Sequence, residues 1–255
     1  MKLILMQPQL RVFDSEHCMR AISSQLQTLG ETFSKADIIV LPEHFLFTTD
    51  PEIYEDFVRS IALQYTCNVI GGSFHDVRNG RRVNRGIAVN ADGSVAGEYE
   101  KLRPYAEERK HVDPGTKLGE FRLAGMNILV LVCADFWFSD LYYRAGVLPD
   151  LVLVPALSVT RKPTPDYSRD LWRHLAVTRA YEFGVYVGIS DWGHPSELPT
   201  LFTAGVGGFA DPTGMSPSHF FTPIGGSGIA VYEIDFDALE RFRTDRRERG
   251  FFWRE

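Results

Sequence analysis

Apolar runs of strand length recur along the chain, separated by segments with the three-to-four-residue spacing of amphipathic helices. Residues 2–7 form the first run, a helical pattern covers 16–33, and a second apolar run lies at 38–41. This predicts a strand, helix, strand opening. A helix over 51–65 then leads to a strand over 68–74. Residues 82–90 and 94–101 flank Ala91-Asp92-Gly93, whose Asp-Gly favours a tight hairpin, so the middle of the chain is expected to hold an antiparallel pair. The alternation resumes with an apolar strand at 126–132, a helix at 139–146, a strand at 151–155, a helix at 169–183 and a strand at 185–190. Two late strand-like stretches, 203–210 and 228–234, enclose a Gly/Pro-rich loop. Neither a linker nor a repeat interrupts this order, which predicts an α/β fold of sheets covered by helices, with residues 1–255 as one domain.

Composition narrows the function. With 44% hydrophobic and 24% charged residues the chain is neither disordered nor fibrous. A formal charge of −6 gives no diffuse attraction to nucleic acid or anionic lipid. The most basic stretch, 241–249, interleaves Arg with Glu and Asp and reads as a solvated helix or tail face. The first residues hold one Lys and an apolar run too short for a signal segment or a membrane span, so a cytoplasmic protein with no membrane partner is expected. Cys18, Cys67 and Cys133 are odd in number and far apart, which suits reduced thiols better than a disulfide framework or a metal knuckle.

Three predicted strand ends carry groups that complement one another. Cys133 follows the apolar strand Asn127–Val132, where a thiol faces both the crevice at the carboxyl end of a sheet and the amides of the next turn. Cys18 and Cys67 sit in or beside helical apolar patterns and read as core residues. A thiol attacking an amide must lose a proton, and the oxyanion that forms must be stabilised. Glu43 ends the strand Ile38-Ile-Val-Leu-Pro-Glu43 and offers a base; Lys101 ends Glu98-Tyr-Glu-Lys101 and offers a fixed positive charge. His44 invites a cysteine–histidine reading, but papain-like signatures around the cysteine are absent, so it reads as a structural neighbour. His174, with Trp172 on a predicted helix, reads as a helix-face residue.

These motifs resemble the nitrilase superfamily, the carbon–nitrogen hydrolases. The resemblance covers nearly the whole chain: Ile39-Val-Leu-Pro-Glu43, Val83-Asn-Arg, Ala91-Asp-Gly93 with Tyr99-Glu-Lys101, Leu131-Val-Cys-Ala-Asp135, Pro149-Asp-Leu-Val-Leu-Val-Pro155, Trp172 with Thr178-Arg-Ala-Tyr-Glu182, and Phe209-Ala-Asp-Pro-Thr-Gly214. It implies a four-layer α-β-β-α sandwich that associates as a homodimer or higher homo-oligomer. It implies Glu43 as general base, Lys101 as stabiliser of the tetrahedral intermediate, Cys133 as the nucleophile that forms a thioester, and the Ala134 N–H as a partner in the oxyanion hole. It also implies a second glutamate after the lysine; Glu108 fits its spacing better than Glu107. Tyr105 and Trp137 are the candidate substrate contacts. No metal or organic cofactor is implied.

The sequence departs from the commonest family pattern after the nucleophile. Where that pattern reads Cys-Tyr-Asp-x-Arg-Phe-Pro-Glu, this chain has Cys133-Ala-Asp-Phe-Trp-Phe-Ser-Asp140, with Trp137 in place of the arginine. Trp137 therefore lines an acyl pocket or fills core space. The segment from Lys101 to Pro114 is short. The expected reaction is hydrolysis of a small linear amide, an ω-amide or an N-carbamoyl compound. The alternatives are nitrile hydrolysis, amine-accepting transfer, and a non-catalytic relative that binds a metabolite.

Overall fold

The computed structural model describes all residues except 31, 49, 197–201, 227 and 255. Two twisted sheets stack face to face. The first contains β15 (Ile229–Glu233), β1 (Lys2–Met6), β2 (Ile38–Val40), β3 (Asn68–Ile70), β4 (Phe74–Arg78), β5 (Arg81–Val89) and β6 (Val95–Glu100). β1, β2 and β3 are parallel, β15 is antiparallel to β1, and β5 runs antiparallel to β3, β4 and β6. The second follows the order β14 (Phe221–Pro223), β13 (Gly208–Ala210), β11 (Tyr186–Ser190), β9 (Leu151–Pro155), β8 (Met126–Val130) and β7 (Gly119–Leu123), with a parallel centre of β11, β9 and β8. A short ladder joins β10 (Val159–Thr160) to β12 (Phe202–Thr203).

Strand alternation assigns the layers. In β1, Leu3 and Leu5 pack in the core shared with the second sheet, whereas Ile4 and Met6 pack with the outer helices; Ile38 and Val40 against Ile39 and Leu41 repeat the division beside it. The outer layer on the first sheet is α1 (Ser15–Thr28) and α2 (Pro51–Tyr65), capped by the Asp14 and Asp50 carboxylates, which accept hydrogen bonds from His17 N–H and Glu52 N–H. On the second sheet lie α4 (Asp166–Phe183), which buries Trp172, Ala176, Ala180 and Phe183, and α5 (Phe236–Glu248). The result is the α-β-β-α sandwich.

Several local readings change in three dimensions. The helical pattern over 16–33 ends as a helix at Thr28, and the segment 139–146 forms only one helical turn, α3 (Asp140–Tyr143). The basic stretch 241–249 belongs to α5, but it is not a solvated face throughout. Arg243 is buried, donating to the Gly184 and Pro149 carbonyls and pairing with Asp150 at 2.8 Å; Arg246 is buried beside Tyr181. Carbonyls at the end of α4 and ahead of β9 satisfy Arg243, which a reading of charge along one helix cannot register. The C-terminal aromatics pack on their own chain, with Trp253 donating to the Phe183 carbonyl at 2.7 Å.

The expected strand 68–74 is split into β3 and β4 at Gly71-Gly72. Gly72 has φ +62°, and a Cβ there would lie 2.1 Å from the Pro42 carbonyl oxygen. The turn therefore presses against the peptide that precedes Glu43. Gly72→Ala is expected to cost about 3 kcal/mol or more, from left-handed strain plus this backbone clash; a lowered urea midpoint at unchanged m-value would report it.

Candidate active site

The cleft opens at the carboxyl ends of β2, β8 and β9, where the two sheets meet. Glu43 follows β2, Lys101 follows β6, Cys133 follows β8 and Leu157 follows β9. Together with His44, His75, Tyr105, Glu108, His111 and Arg161 these residues line a cavity of about 1140 Å3. The first sheet thus supplies the charged pair and the second the thiol.

Glu43 is almost fully buried, and both of its oxygens are engaged. Oε1 accepts from Lys101 Nζ at 2.7 Å and from Asn84 Nδ2 at 2.9 Å, while Oε2 accepts from Leu157 N–H at 3.2 Å. The Trp192 indole N–H holds the Glu43 carbonyl at 2.7 Å. Lys101 Nζ also donates to Glu108 Oε2 at 2.6 Å. Burial works against the ammonium, yet Glu43, the Cys133 sulfur and Glu108 outweigh it and hold Lys101 above its usual range.

Glu108 sits on a 3-10 turn at Ala106–Lys110. Its Oε1 accepts from Asn84 Nδ2 at 2.9 Å and lies 3.2 Å from His75 Nε2; its Oε2 accepts from the Tyr105 N–H at 3.1 Å as well as from Lys101. Burial opposes ionisation, but His44, His75 and Lys101 keep the carboxyl well below the usual range. Glu107 instead points to the cleft mouth and pairs with Lys110 at 2.6 Å.

Cys133 opens a second 3-10 turn, Cys133–Trp137, with φ +47°, in the left-handed region that a side-chain-bearing residue enters at a cost. His44 is also left-handed, with φ +51°. These two conformations aim both side chains into the cleft. The thiol faces the Leu157 carbonyl at 3.7 Å. Burial, then the Glu43 charge, push its pKa well above the usual range, while Lys101 pulls it down. The thiol therefore holds its proton more firmly than an ordinary cysteine, so attack on a carbonyl requires proton transfer. Behind it, buried Asp135 accepts from the Leu102 and Arg103 N–H groups at 2.9 and 2.8 Å, tying the segment after Lys101 to the cysteine turn. Burial raises Asp135 to about 7 against the effect of those hydrogen bonds.

The remaining residues singled out in the sequence are distributed differently. Tyr105 lines the cleft and also a neighbouring hollow, where Ala134 lies. Trp137 is not among the residues lining the cleft; its ring packs edge-on against Trp172 at 5.6 Å, on the side of α4. Exposed His174 lies elsewhere on α4. Asn84, His75, His111 and Arg161 were not recognised as site residues. Asn84 carried a usable signal, because an asparagine in the interior of a strand, within Val83-Asn-Arg, is disfavoured unless its amide is satisfied.

An α-β-β-α sandwich with a carboxylate, an ammonium and a thiol converging at its strand ends is the class of protein that this geometry defines. Residues 5–236 match the carbon-nitrogen hydrolase family, and the chain belongs to that family, within the nitrilase superfamily. It is 26% identical over 230 residues to a protein of Staphylococcus lugdunensis described as "Hydrolase in agr operon", covering 81% of this chain and 91% of that one. Among solved structures it superposes on Nit3 of Saccharomyces cerevisiae, a member of branch 10 of the nitrilase superfamily, with TM-score 0.79, 18% identity, and coverage of 96% and 93% of the two chains. It also superposes on a double mutant of the amidase from Nesterenkonia sp. AN1 in complex with acrylamide, with TM-score 0.72, 21% identity, and coverage of 98% and 97%. These likenesses establish the fold. Among the described residues no helix is long and apolar enough to cross a membrane.

Proposed function

We propose that the protein hydrolyses a small linear amide through a Cys133 thioester. The observation that carries this reading is the buried chain Glu43–Lys101–Glu108 beside the Cys133 thiol, with Lys101 held at 2.7 and 2.6 Å between the two carboxylates. In this reading Glu43 takes the thiol proton as sulfur attacks the carbonyl carbon, and the Lys101 ammonium with the Ala134 N–H stabilises the oxyanion. The tetrahedral adduct collapses to the thioester as the amine leaves with the proton from Glu43. Water, deprotonated by Glu43, then releases the carboxylic acid and the thiol. Glu108 fixes Lys101 and offers its cleft-side oxygen to the substrate amide N–H. An amide group supplies that N–H donor and a nitrile does not, which favours the amide. Self-association through the outer helices is part of the same reading.

The cleft mouth supports a substrate with an anionic tail, such as an ω-amide of a dicarboxylic acid or an N-carbamoyl amino acid. Arg82 and Arg161 line it, and both are exposed. Incubation with amides, carbamoyl compounds and nitriles, followed by intact mass, tests the proposal. The expected result is an acyl adduct and ammonia release from amides with an acidic tail, both absent in Cys133→Ala. Arg161→Ala is expected to raise KM about tenfold for acidic-tailed substrates and leave neutral amides unchanged. Absence of adduct and ammonia across the whole panel would defeat the hydrolase reading.

A further inference from the structure

The cleft wall holds a second donor set beside the groups assigned to hydrolysis. One donor atom each from His44, His75 and Glu108 lie within 4.8 Å of one another. Glu108 Oε1 is 3.2 Å from His75 Nε2 and 3.7 Å from His44 Nε2. A tetrahedral ion with bonds of about 2.0–2.1 Å holds its ligand atoms about 3.3 Å apart, so these three atoms reach one ion with small side-chain adjustments. Two imidazoles and one carboxylate form a donor set suited to a borderline divalent cation, with a fourth position left for water.

Three separate pieces of backbone place these ligands. His44 is fixed by its left-handed turn and by donation of its N–H to the Ser73 carbonyl at 2.8 Å. His75 projects from β4, and the two imidazoles meet edge to face with centroids 4.3 Å apart. Glu108 is oriented by Asn84, which donates to Oε1, and by Lys101, which donates to Oε2, in the manner of outer-shell groups that orient a metal-binding carboxylate; Asn84 Nδ2 also lies 3.3 Å from His44 Nε2 and would yield that nitrogen to an ion. The charges also suit a cation. Glu43 and Glu108 carry two negative charges against the one positive charge of Lys101, and His44 Nε2 lies 3.7 Å from Glu43 as well.

We propose that His44, His75 and Glu108 form a binding site for Zn2+ or a similar borderline divalent ion at the wall of the cleft. The ion takes no part in the thioester route. By occupying Glu108 Oε1 it withdraws the oxygen assigned to the substrate amide and narrows the approach to Cys133, so its binding switches the site off. The inhibition rests on the hydrolase reading; the binding does not.

Titration of the full-length, metal-free protein with Zn2+ by calorimetry, and with Co2+ by visible absorption, tests the site. One tight ion per chain is expected, with Co2+ d–d bands and no thiolate-to-cobalt charge-transfer band. His75→Gln and His44→Ala are each expected to weaken binding by at least about tenfold, while Cys133→Ala binds as the parent does. Undiminished affinity in both histidine variants, or loss of binding in Cys133→Ala, would overturn the site. With a working substrate, Zn2+ is expected to inhibit, a chelator to restore activity, and His75→Gln to require at least about tenfold more Zn2+. A protein that binds Zn2+ at these residues but turns over no substrate would defeat the hydrolase reading and leave the metal site standing.

Discussion

Glu43→Gln is expected to lower kcat/KM for the amide substrate about 100- to 10,000-fold, the range associated with removal of a general base. The side chain keeps its size and retains an oxygen for the Asn84 or Leu157 donors, so the fold is expected to persist. A second readout separates a base from a residue that only supports the loop. Burial and then the Glu43 charge hold the Cys133 thiol above its usual pKa, with Lys101 acting in the opposite direction. Removing the carboxylate charge leaves the lysine unopposed by Glu43, so the thiol becomes more acidic. The pH at which iodoacetamide labelling of Cys133 reaches half its maximal rate is expected to fall in Glu43→Gln, even though turnover is lost. A midpoint that stays put would show that the carboxylate does not govern the thiol.

Lys101→Met is expected to abolish turnover and to destabilise the fold by about 3–5 kcal/mol, the usual consequence of removing one partner from a buried ion pair. Lys101 is the shared cation of Glu43 and Glu108, and without it two buried carboxylates lie close together with Asn84, the histidines and the Leu157 and Tyr105 N–H groups as their remaining partners. Such a pair relieves the repulsion by taking up a proton, which raises a carboxyl pKa in the folded state above its unfolded value. By linkage, the folded variant then binds more protons than the unfolded chain, and its stability falls as pH rises. The deficit in urea unfolding is therefore expected to be larger near about pH 8 than near about pH 5. Lys101→Met combined with Glu108→Gln is expected to regain most of the stability while remaining inactive. Equal deficits at the two pH values would argue that lost packing of the lysine stem is responsible.

Much of the architecture was legible because strand and helix periodicity is a local property. The alternation of Leu3 and Leu5 with Ile4 and Met6 assigns two faces to β1 whatever lies on each of them. The Asp-Gly turn placed the hairpin of β5 and β6. Elements that local pattern failed to mark owe their form to neighbours. The break between β3 and β4 follows from the approach of Pro42 to Gly72, and α3 is confined to a single turn. β7 and β14 are short edge strands, whose pairing depends on β8 and β13 rather than on their own pattern.

The candidate site divides along the same line. By itself the sequence determined that Glu43, Lys101 and Cys133 stand just beyond the ends of strands, because an apolar run stops before Glu43 and before Cys133, and the second strand of the Asp-Gly hairpin stops before Lys101. The tertiary structure alone decided how these ends converge, since Glu43 and Lys101 come from one sheet and Cys133 from the other. It also decided which glutamate turns inward. Glu107 and Glu108 are adjacent and chemically alike, but the 3-10 turn after Tyr105 directs Glu108 to Lys101 and Glu107 to Lys110. Asn84 joining two carboxylates, two histidines meeting across separate loops, and Trp137 lying against Trp172 have the same origin. Periodicity fixes the face on which a residue lies within its own element, whereas a contact between elements depends on how the sheets stack and the loops close, and no local spacing carries that information.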